Sequence, residues 1–421
     1  MKLVKTTIFS GIITLIKISS GFIAGKAVAI FTGPAGVALI GAFSNFITIF
    51  LTFANGAINN GVVKYTADYV QEDHESRKLF STALRISVIC SGVIGCLLIL
   101  FPGFFSETIL RIQEYKGPVR VLGGSIVLYS LNSLFIAILN GKGEIKTYTI
   151  VNTIGSVISL IFTIILVYYY KISGALYSLV LSQSIVFFFT LYHVIKRPWF
   201  KVNLFKNSFD IAIARKLGSY SLMAIISAIT LPISQIFLRN MLGATLGIES
   251  AGYWQGIMRI SDGYLLIITT ALSTYYLPKL STLKSDPEIR AEILNGYKIV
   301  MPVVLIGCLS IFLLRKFIIS ILFTPDFAQM ENLFFWQLFG DFFKIAAWML
   351  AFLMLAKSMT KVYIITEILF TFTYVTLGYI LVSMLDLKGI VVSFGLNYFF
   401  YFIYMVFHFR NLLFYKSAAN V

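Results

Sequence analysis

The chain has 421 residues, of which 12% are charged, 58% hydrophobic and 16% aromatic, and its mean hydropathy is +0.87. A water-soluble globular domain carries about twice that share of charge, so the composition excludes one and describes a chain whose solvent is lipid. The net charge of +16 invites a nucleic-acid reading, but the cations gather at the ends of apolar runs, which argues against it.

Apolar runs occupy positions 5–30, 36–63, 80–102, 119–141, 145–170, 172–195, 216–242, 251–276, 294–314, 333–356, 361–383 and 388–409. Each is long enough to cross a hydrocarbon core of ~30 Å as a helix rising about 1.5 Å per residue. The first follows Met1–Lys5 without a small-residue cleavage site, and reads as a retained helix rather than a removable signal peptide. Cys90, Cys96 and Cys308 lie inside runs with no CxxC spacing, and read as buried small hydrophobes, not as disulfide or zinc partners. Between the sixth and seventh runs, 196–215 (KRPWFKVNLFKNSFDIAIAR) is basic and amphipathic; it suits either the cytoplasmic lipid surface or a plain linker. Pro232 and Pro302 interrupt the seventh and ninth runs, where a missing backbone N–H kinks a helix or is merely tolerated.

Sliding the chain by 215 residues aligns it with itself. Gly41, Lys64 and Gly92 fall on Gly256, Lys279 and Gly307; Lys142, Lys146 and Tyr148 on Lys357, Lys361 and Tyr363; Gly174, Ser178 and His193 on Gly389, Ser393 and His408. Apolar coincidences are cheap in such a chain, but two of only three histidines coincide. Twelve runs then divide into two copies of six, and an even number returns the chain to its starting side, so the copies are parallel. The expected domains are an N-terminal six-helix lobe at 1–195, a cytoplasmic linker at 196–215 and a C-terminal six-helix lobe at 216–421. With both termini in the cytoplasm, 22 of the 34 Lys and Arg fall on the cytoplasmic side, eight on the opposite side and four within runs, a positive-inside bias. A basic rim beside anionic lipid accounts for the net charge without nucleic acid.

An ionisable group at mid-bilayer costs roughly 2.5–3.5 kcal/mol on insertion scales. With the cations near run ends assigned to the rims, seven are read as intramembrane: Lys17, Lys26, Arg259, Asp262, Asp341, Lys344 and Glu367. Arg259 with Asp262, and Asp341 with Lys344, are spaced i,i+3 and share a helix face, so each pair is either a structural ion pair or functional. Lys26, near the outer end, can snorkel to the interface. Lys17 is different, because no carboxylate lies inside any of the first six runs. It pairs with a residue of the second copy, such as Glu367, or faces a hydrated cavity where it attracts an anion. The repeat does not duplicate these charges: Pro232, Ser44, Ile47, Ile126, Tyr129 and Asn152 stand opposite Lys17, Arg259, Asp262, Asp341, Lys344 and Glu367. Tyr253, Trp254, Trp336 and Trp348 are interfacial anchors or sugar-stacking faces, with Trp254 and Trp336 the better placed for sugar. No P-loop, GxSxG or HExxH motif appears, the three histidines are scattered, and no stretch between runs exceeds 20 residues. A catalytic domain needs at least ~50. No enzyme, metal or cofactor is expected.

Several segments resemble the Wzx lipid-linked oligosaccharide flippases: Thr32-Gly33-Pro34-Ala35-Gly36, Asn60-Gly61-Val62-Val63-Lys64-Tyr65, Trp254-Gln255-Gly256, Ser261-Asp262 and Leu277-Pro278-Lys279-Leu280-Ser281. So do Trp336-Gln337-Leu338-Phe339-Gly340-Asp341 followed by Lys344, and Ala356-Lys357. The branch moving enterobacterial common antigen lipid III is the nearest in pattern. The likeness implies an all-α polytopic membrane protein of the multidrug/oligosaccharidyl-lipid/polysaccharide exporter superfamily, with twelve transmembrane helices in two six-helix lobes around a central cavity. It further implies a cargo of undecaprenyl diphosphate bearing a short oligosaccharide, an O-antigen unit or lipid III, moved from the cytoplasmic to the periplasmic leaflet of the bacterial inner membrane. Cationic cavity residues hold the diphosphate in that picture; Lys17, Arg259 and Lys344 are the matching positions, with Lys26, Trp254 and Trp336 as further substrate contacts. Asp262, Asp341 and Glu367 are the candidates for ion coupling. Membrane lipids and the polymerase and chain-length proteins of the same pathway are the expected partners. Two rival readings stay open. An ion-coupled exporter of small cations requires acids to dominate the interior, and basic groups there outnumber acids four to three. A membrane glycan polymerase or ligase requires larger periplasmic loops.

Overall fold

The computed structural model describes residues 2–69, 72–357 and 359–414, and every regular element among them is helical. In lipid an unpaired backbone N–H or C=O finds no water, so apolar runs of this length close their hydrogen bonds within helices. The chain groups into two compact units, one of Met1–Thr32 and Leu39–Ile236, the other of Gly33–Ala38 and Phe237–Val421.

The first unit is built on α1 (Lys2–Ala54), α2 (Asn59–Asp68), α3 (Asp73–Leu100), α4 (Pro102–Leu110), α5 (Lys116–Gly141), α6 (Ile145–Ile195) and the start of α7 (Ile211–Leu246). Leu79, Phe80, Leu134, Ile138, Val151, Val194 and Leu217 are among its core residues. Helices α3 and α5 approach at Gly95 and Gly123, where a Cβ on either would stand 2.6 or 2.8 Å from the other's carbonyl oxygen; small residues let helix backbones pack closely in a membrane. The segment after α6 is docked on this unit. Ser81 Oγ donates to the Leu204 carbonyl at 3.1 Å and accepts from the Asn207 amide at 3.0 Å, while Thr82 Oγ1 accepts from the Asp210 amide at 3.0 Å. Phe205 stacks on Phe80 and Leu204 is buried, while Val202 and Phe209 are exposed; residues 211–215 already belong to α7.

The second unit carries the end of α7, α8 (Ile248–Ala271), a π-turn at Leu272–Tyr276, α9 (Leu277–Thr282), α10 (Asp286–Leu313), α11 (Arg315–Leu322), α12 (Phe334–Ala356), α13 (Thr360–Leu385), α14 (Leu387–His408) and α15 (Arg410–Phe414). Tyr276, Ile293, Met349, Leu350, Met354 and Met405 are in its core. Helix α7 runs through Pro232, one turn before the residue at which its grouping changes.

Two long helices are broken, α1 at Gly33 (φ 63°, ψ −169°) before Pro34, and α6 at Lys171 (φ 49°, ψ −125°). Asp386, 215 residues beyond Lys171, has φ 50° and ψ −138° between α13 and α14. A Cβ at Gly174 would lie 1.8 Å from the Leu166 carbonyl oxygen; at Gly389 it would lie 2.1 Å from that of Leu381. Both members of each pair are again 215 apart, so the sequence match recurs as a backbone match.

Among the described residues, nine helical stretches are long and apolar enough to cross a membrane, two of them being the broken α1 and α6. Helix α8 is not one of them, since Gln255, Arg259, Ser261 and Asp262 lower its hydropathy. Large apolar side chains face outward, as Ile299, Val303 and Ile306 do along α10; lipid is as good a solvent for them as a protein core. This is a multi-pass membrane protein.

Candidate functional site

The second unit buries charge. Gln337, Asp341, Lys344 and Trp348 lie at i, i+4, i+7 and i+11 on α12, hence on one face. That face meets Ser261 and Tyr264 of α8, and Phe394 and Tyr398 of α14. Gly340 makes room for α14, since a Cβ there would stand 2.3 Å from the Phe394 ring.

Asp341 is fully buried. Its Oδ1 and Oδ2 share the Ser261 hydroxyl proton at 2.7 and 2.6 Å, Oδ2 accepts from the Tyr264 hydroxyl, and Oδ1 accepts from Gln337 Nε2 at 3.4 Å. Lys344 is 5% exposed, and its ammonium lies 4.9, 5.6 and 5.5 Å from the ring centroids of Trp348, Phe394 and Tyr398. Such a cage attracts a cation through the negative ring faces. The i,i+3 ion pair that the spacing allows is therefore not formed: carboxylate and ammonium share a face, but hydroxyls take one and aromatic rings the other. Both stay within electrostatic reach of each other. Gln337 Oε1, buried beside this carboxylate, has no partner among the described residues, which adds an unanswered oxygen to the two of the carboxylate. The site suits a proton or a small cation better than an anion.

The other expected pair lies on α8. Asp262 is exposed and makes no ion pair among the described residues; Arg259 is half-buried. Glu367, half-buried on α13, joins Asp341 and Asp262 within electrostatic reach of Tyr398. The structure thus brings together Asp262, Asp341, Lys344 and Glu367. Trp336 is half-buried against Phe335 and Phe339. Trp254 is fully buried with the Arg239 guanidinium 5.5 Å from its ring centroid, which leaves no open face for a sugar in this conformation. Lys17 and Lys26 belong to the first unit. Lys17 is exposed and makes no ion pair among the described residues; Lys26 is half-buried.

Arg239 escapes notice in the sequence, because an arginine three residues from the end of an apolar run reads as a rim cation. In the structure it is 2% exposed, well inside α7. The one available signal was its distance of two turns from Gly247, where the helix actually stops.

A many-helix membrane protein that buries charges in its interior, with its helices joined by short segments, has the make-up of a transport protein. A family model described as polysaccharide biosynthesis protein matches residues 3–284, and the chain belongs to that family. The lipid III flippases of Escherichia coli (strain K12) and Shigella flexneri are each 32% identical to it over 373 residues, covering 87% of this chain and 88% of theirs. The resemblance to the Wzx-type flippases read from the motifs holds over the same span. An inward-facing multidrug resistance MATE family transporter of the MOP superfamily superimposes with a TM-score of 0.79 at 16% identity, covering 97% of this chain and 96% of that one. At that identity the likeness shows the fold alone.

Proposed function

We propose that the protein flips undecaprenyl-diphosphate-linked oligosaccharide, a lipid III-like or O-antigen unit, from the cytoplasmic to the periplasmic leaflet of the bacterial inner membrane. The observation that carries this reading is the 32% identity to lipid III flippases over nearly the whole chain. Two six-helix lobes with twelve crossings, divided near 196–215, and cytoplasmic termini are part of the proposal; the 215-residue repeat and the positive-inside bias support it. The polar head crosses by alternating access while the polyprenyl tail stays in lipid. Lys17, exposed and without an ion pair among the described residues, is proposed to contact the diphosphate, and so are Arg259 and Lys344. Lys26, Trp254 and Trp336 contribute to the substrate path, Trp254 only if its covering residues move. Outward transfer of two negative charges down an inside-negative potential gains about 4–5 kcal/mol per 100 mV. The oxygen-rich shell of Asp341, with Asp262 and Glu367 near it, is the proposed site of ion coupling. Polymerase and chain-length proteins are proposed to receive the exported unit.

Expression of the chain in a lipid III flippase-null strain, and in strains lacking O-unit flippases, tests the proposal. Restored glycan export in at least one of them is expected. No rescue in any, combined with raised resistance to small cationic drugs, would replace it with the exporter reading.

A further inference from the structure

Arg239, on α7 of the second unit, is a buried cation with no carboxylate in contact among the described residues. One guanidinium nitrogen, Nη2, donates to Gln255 Oε1. The other two, Nε and Nη1, are buried and have no partner among the described residues. Beside them lie more donors in the same condition. Among the described residues the indole Nε1 of Trp254, whose ring centroid lies 5.5 Å from the guanidinium carbon, has no acceptor, and neither does the hydroxyl of Tyr374 on α13. That hydroxyl is within electrostatic reach of Arg239, and both aromatic residues are buried. Three helices thus bring unanswered N–H and O–H groups into one neighbourhood around a positive charge.

Buried polar groups in native proteins are met by a partner, and an unmet group in a structure of the polypeptide alone points to something the polypeptide does not supply. Two occupants can meet donors: water, or an anion. Water satisfies hydrogen bonds but leaves the charge. A guanidinium keeps its proton in proteins, so it cannot escape burial by neutralising, and an unpaired buried charge costs several kcal/mol. The excess of donors, the fixed positive charge and the lack of a carboxylate together select an anion. The complete enclosure of Trp254 and near-complete enclosure of Arg239 leave no path for a bulky phosphate group in this conformation.

We infer that Arg239, Trp254 and Tyr374 form a binding site for one small monovalent anion, of halide type, inside the second unit. The anion neutralises Arg239 and ties α7, α8 and α13 together. The site differs in chemistry from the Asp341 shell, which is built around a carboxylate and suits cations, although Tyr374 lies against Phe394 of the Lys344 cage.

The test uses the purified full chain in detergent. Thermal unfolding is followed while chloride replaces gluconate at fixed sodium and ionic strength. A saturable rise in Tm of a few degrees is expected, reproduced by bromide and absent in Arg239→Gln. Equal Tm in chloride and gluconate, or a chloride effect that persists in Arg239→Gln, would overturn the inference. Inorganic phosphate and pyrophosphate form the competing arm: protection by these and not by halide would reassign the site to a phosphate group and also overturn it. Should Arg239→Gln fail to fold, crystals of the unaltered protein grown with bromide decide the matter. An anomalous peak in contact with Nε or Nη1 supports the site, and water density there refutes it.

Discussion

Replacing Asp341 by Asn keeps the size of the side chain and removes its charge. In the folded chain Lys344 is buried in its aromatic cage with no Asp341 oxygen within 4.0 Å. Two unit charges at an effective dielectric constant of ~20 attract by about 4 kcal/mol at 4 Å and about 2 kcal/mol at 8 Å. Side chains three positions apart on one helix face stay within that range, so the Asp341–Lys344 coupling is expected at about 2–4 kcal/mol. Asp341→Asn and Lys344→Met should each destabilise the protein by roughly that amount, because each leaves the opposite buried charge alone. The double variant should lose less than the sum, by the same ~2–4 kcal/mol. The assay is a double-mutant cycle from denaturant unfolding of the four proteins in one detergent. Additivity within ~0.5 kcal/mol would refute the reasoning, since it would mean that the hydroxyl shell of Asp341 and the rings around Lys344 satisfy each charge independently.

Lys17→Ala should leave Tm unchanged, because the side chain is exposed, and abolish glycan export at equal protein level; normal export measured by surface glycan staining would remove Lys17 from the mechanism. Gly174→Ala and Gly389→Ala place a Cβ 1.8 and 2.1 Å from a carbonyl oxygen, and should lower stability by at least about 1–3 kcal/mol. Lys171→Gly and Asp386→Gly should instead raise it by about 1 kcal/mol each by relieving positive φ; thermal unfolding reads both. Asp210 accepts from the Ile213 amide at 3.0 Å at the start of α7, which holds its carboxyl below the ordinary 3.8. A depressed pKa contributes stability above the unfolded value and loses it as pH falls through the folded one, so Asp210→Ala should destabilise at neutral pH and differ little from the parent in acid.

The helices and the repeat were legible because both are one-dimensional: apolar length marks a span, and a fixed offset marks duplication. The offset that pairs Gly174 with Gly389 also relates the strained turns at Lys171 and Asp386, which only the backbone revealed. Partners were harder to read. Spacing placed Asp341 and Lys344 on one face, but their actual neighbours come from α8, about 80 residues earlier, and α14, about 50 later. No rule of spacing within one helix reveals a hydroxyl or ring from another. The strap at 202–210 looked basic and amphipathic, while Ser81 and Thr82, which hold it, sit inside an apolar run and carry no signal of their own. Arg239 was hidden by the predicted end of the seventh run at 242, four residues before α7 ends.

The most direct measurement is transbilayer movement in proteoliposomes that contain only this protein and undecaprenyl diphosphate bearing an oligosaccharide. The lipid is placed in one leaflet and followed with a glycan-modifying reagent that cannot cross the membrane. The account predicts protein-dependent appearance of the sugar on the opposite face, lost in Lys17→Ala. Folded protein that leaves the sugar where it was placed, with and without a membrane potential and ion gradients, would contradict it.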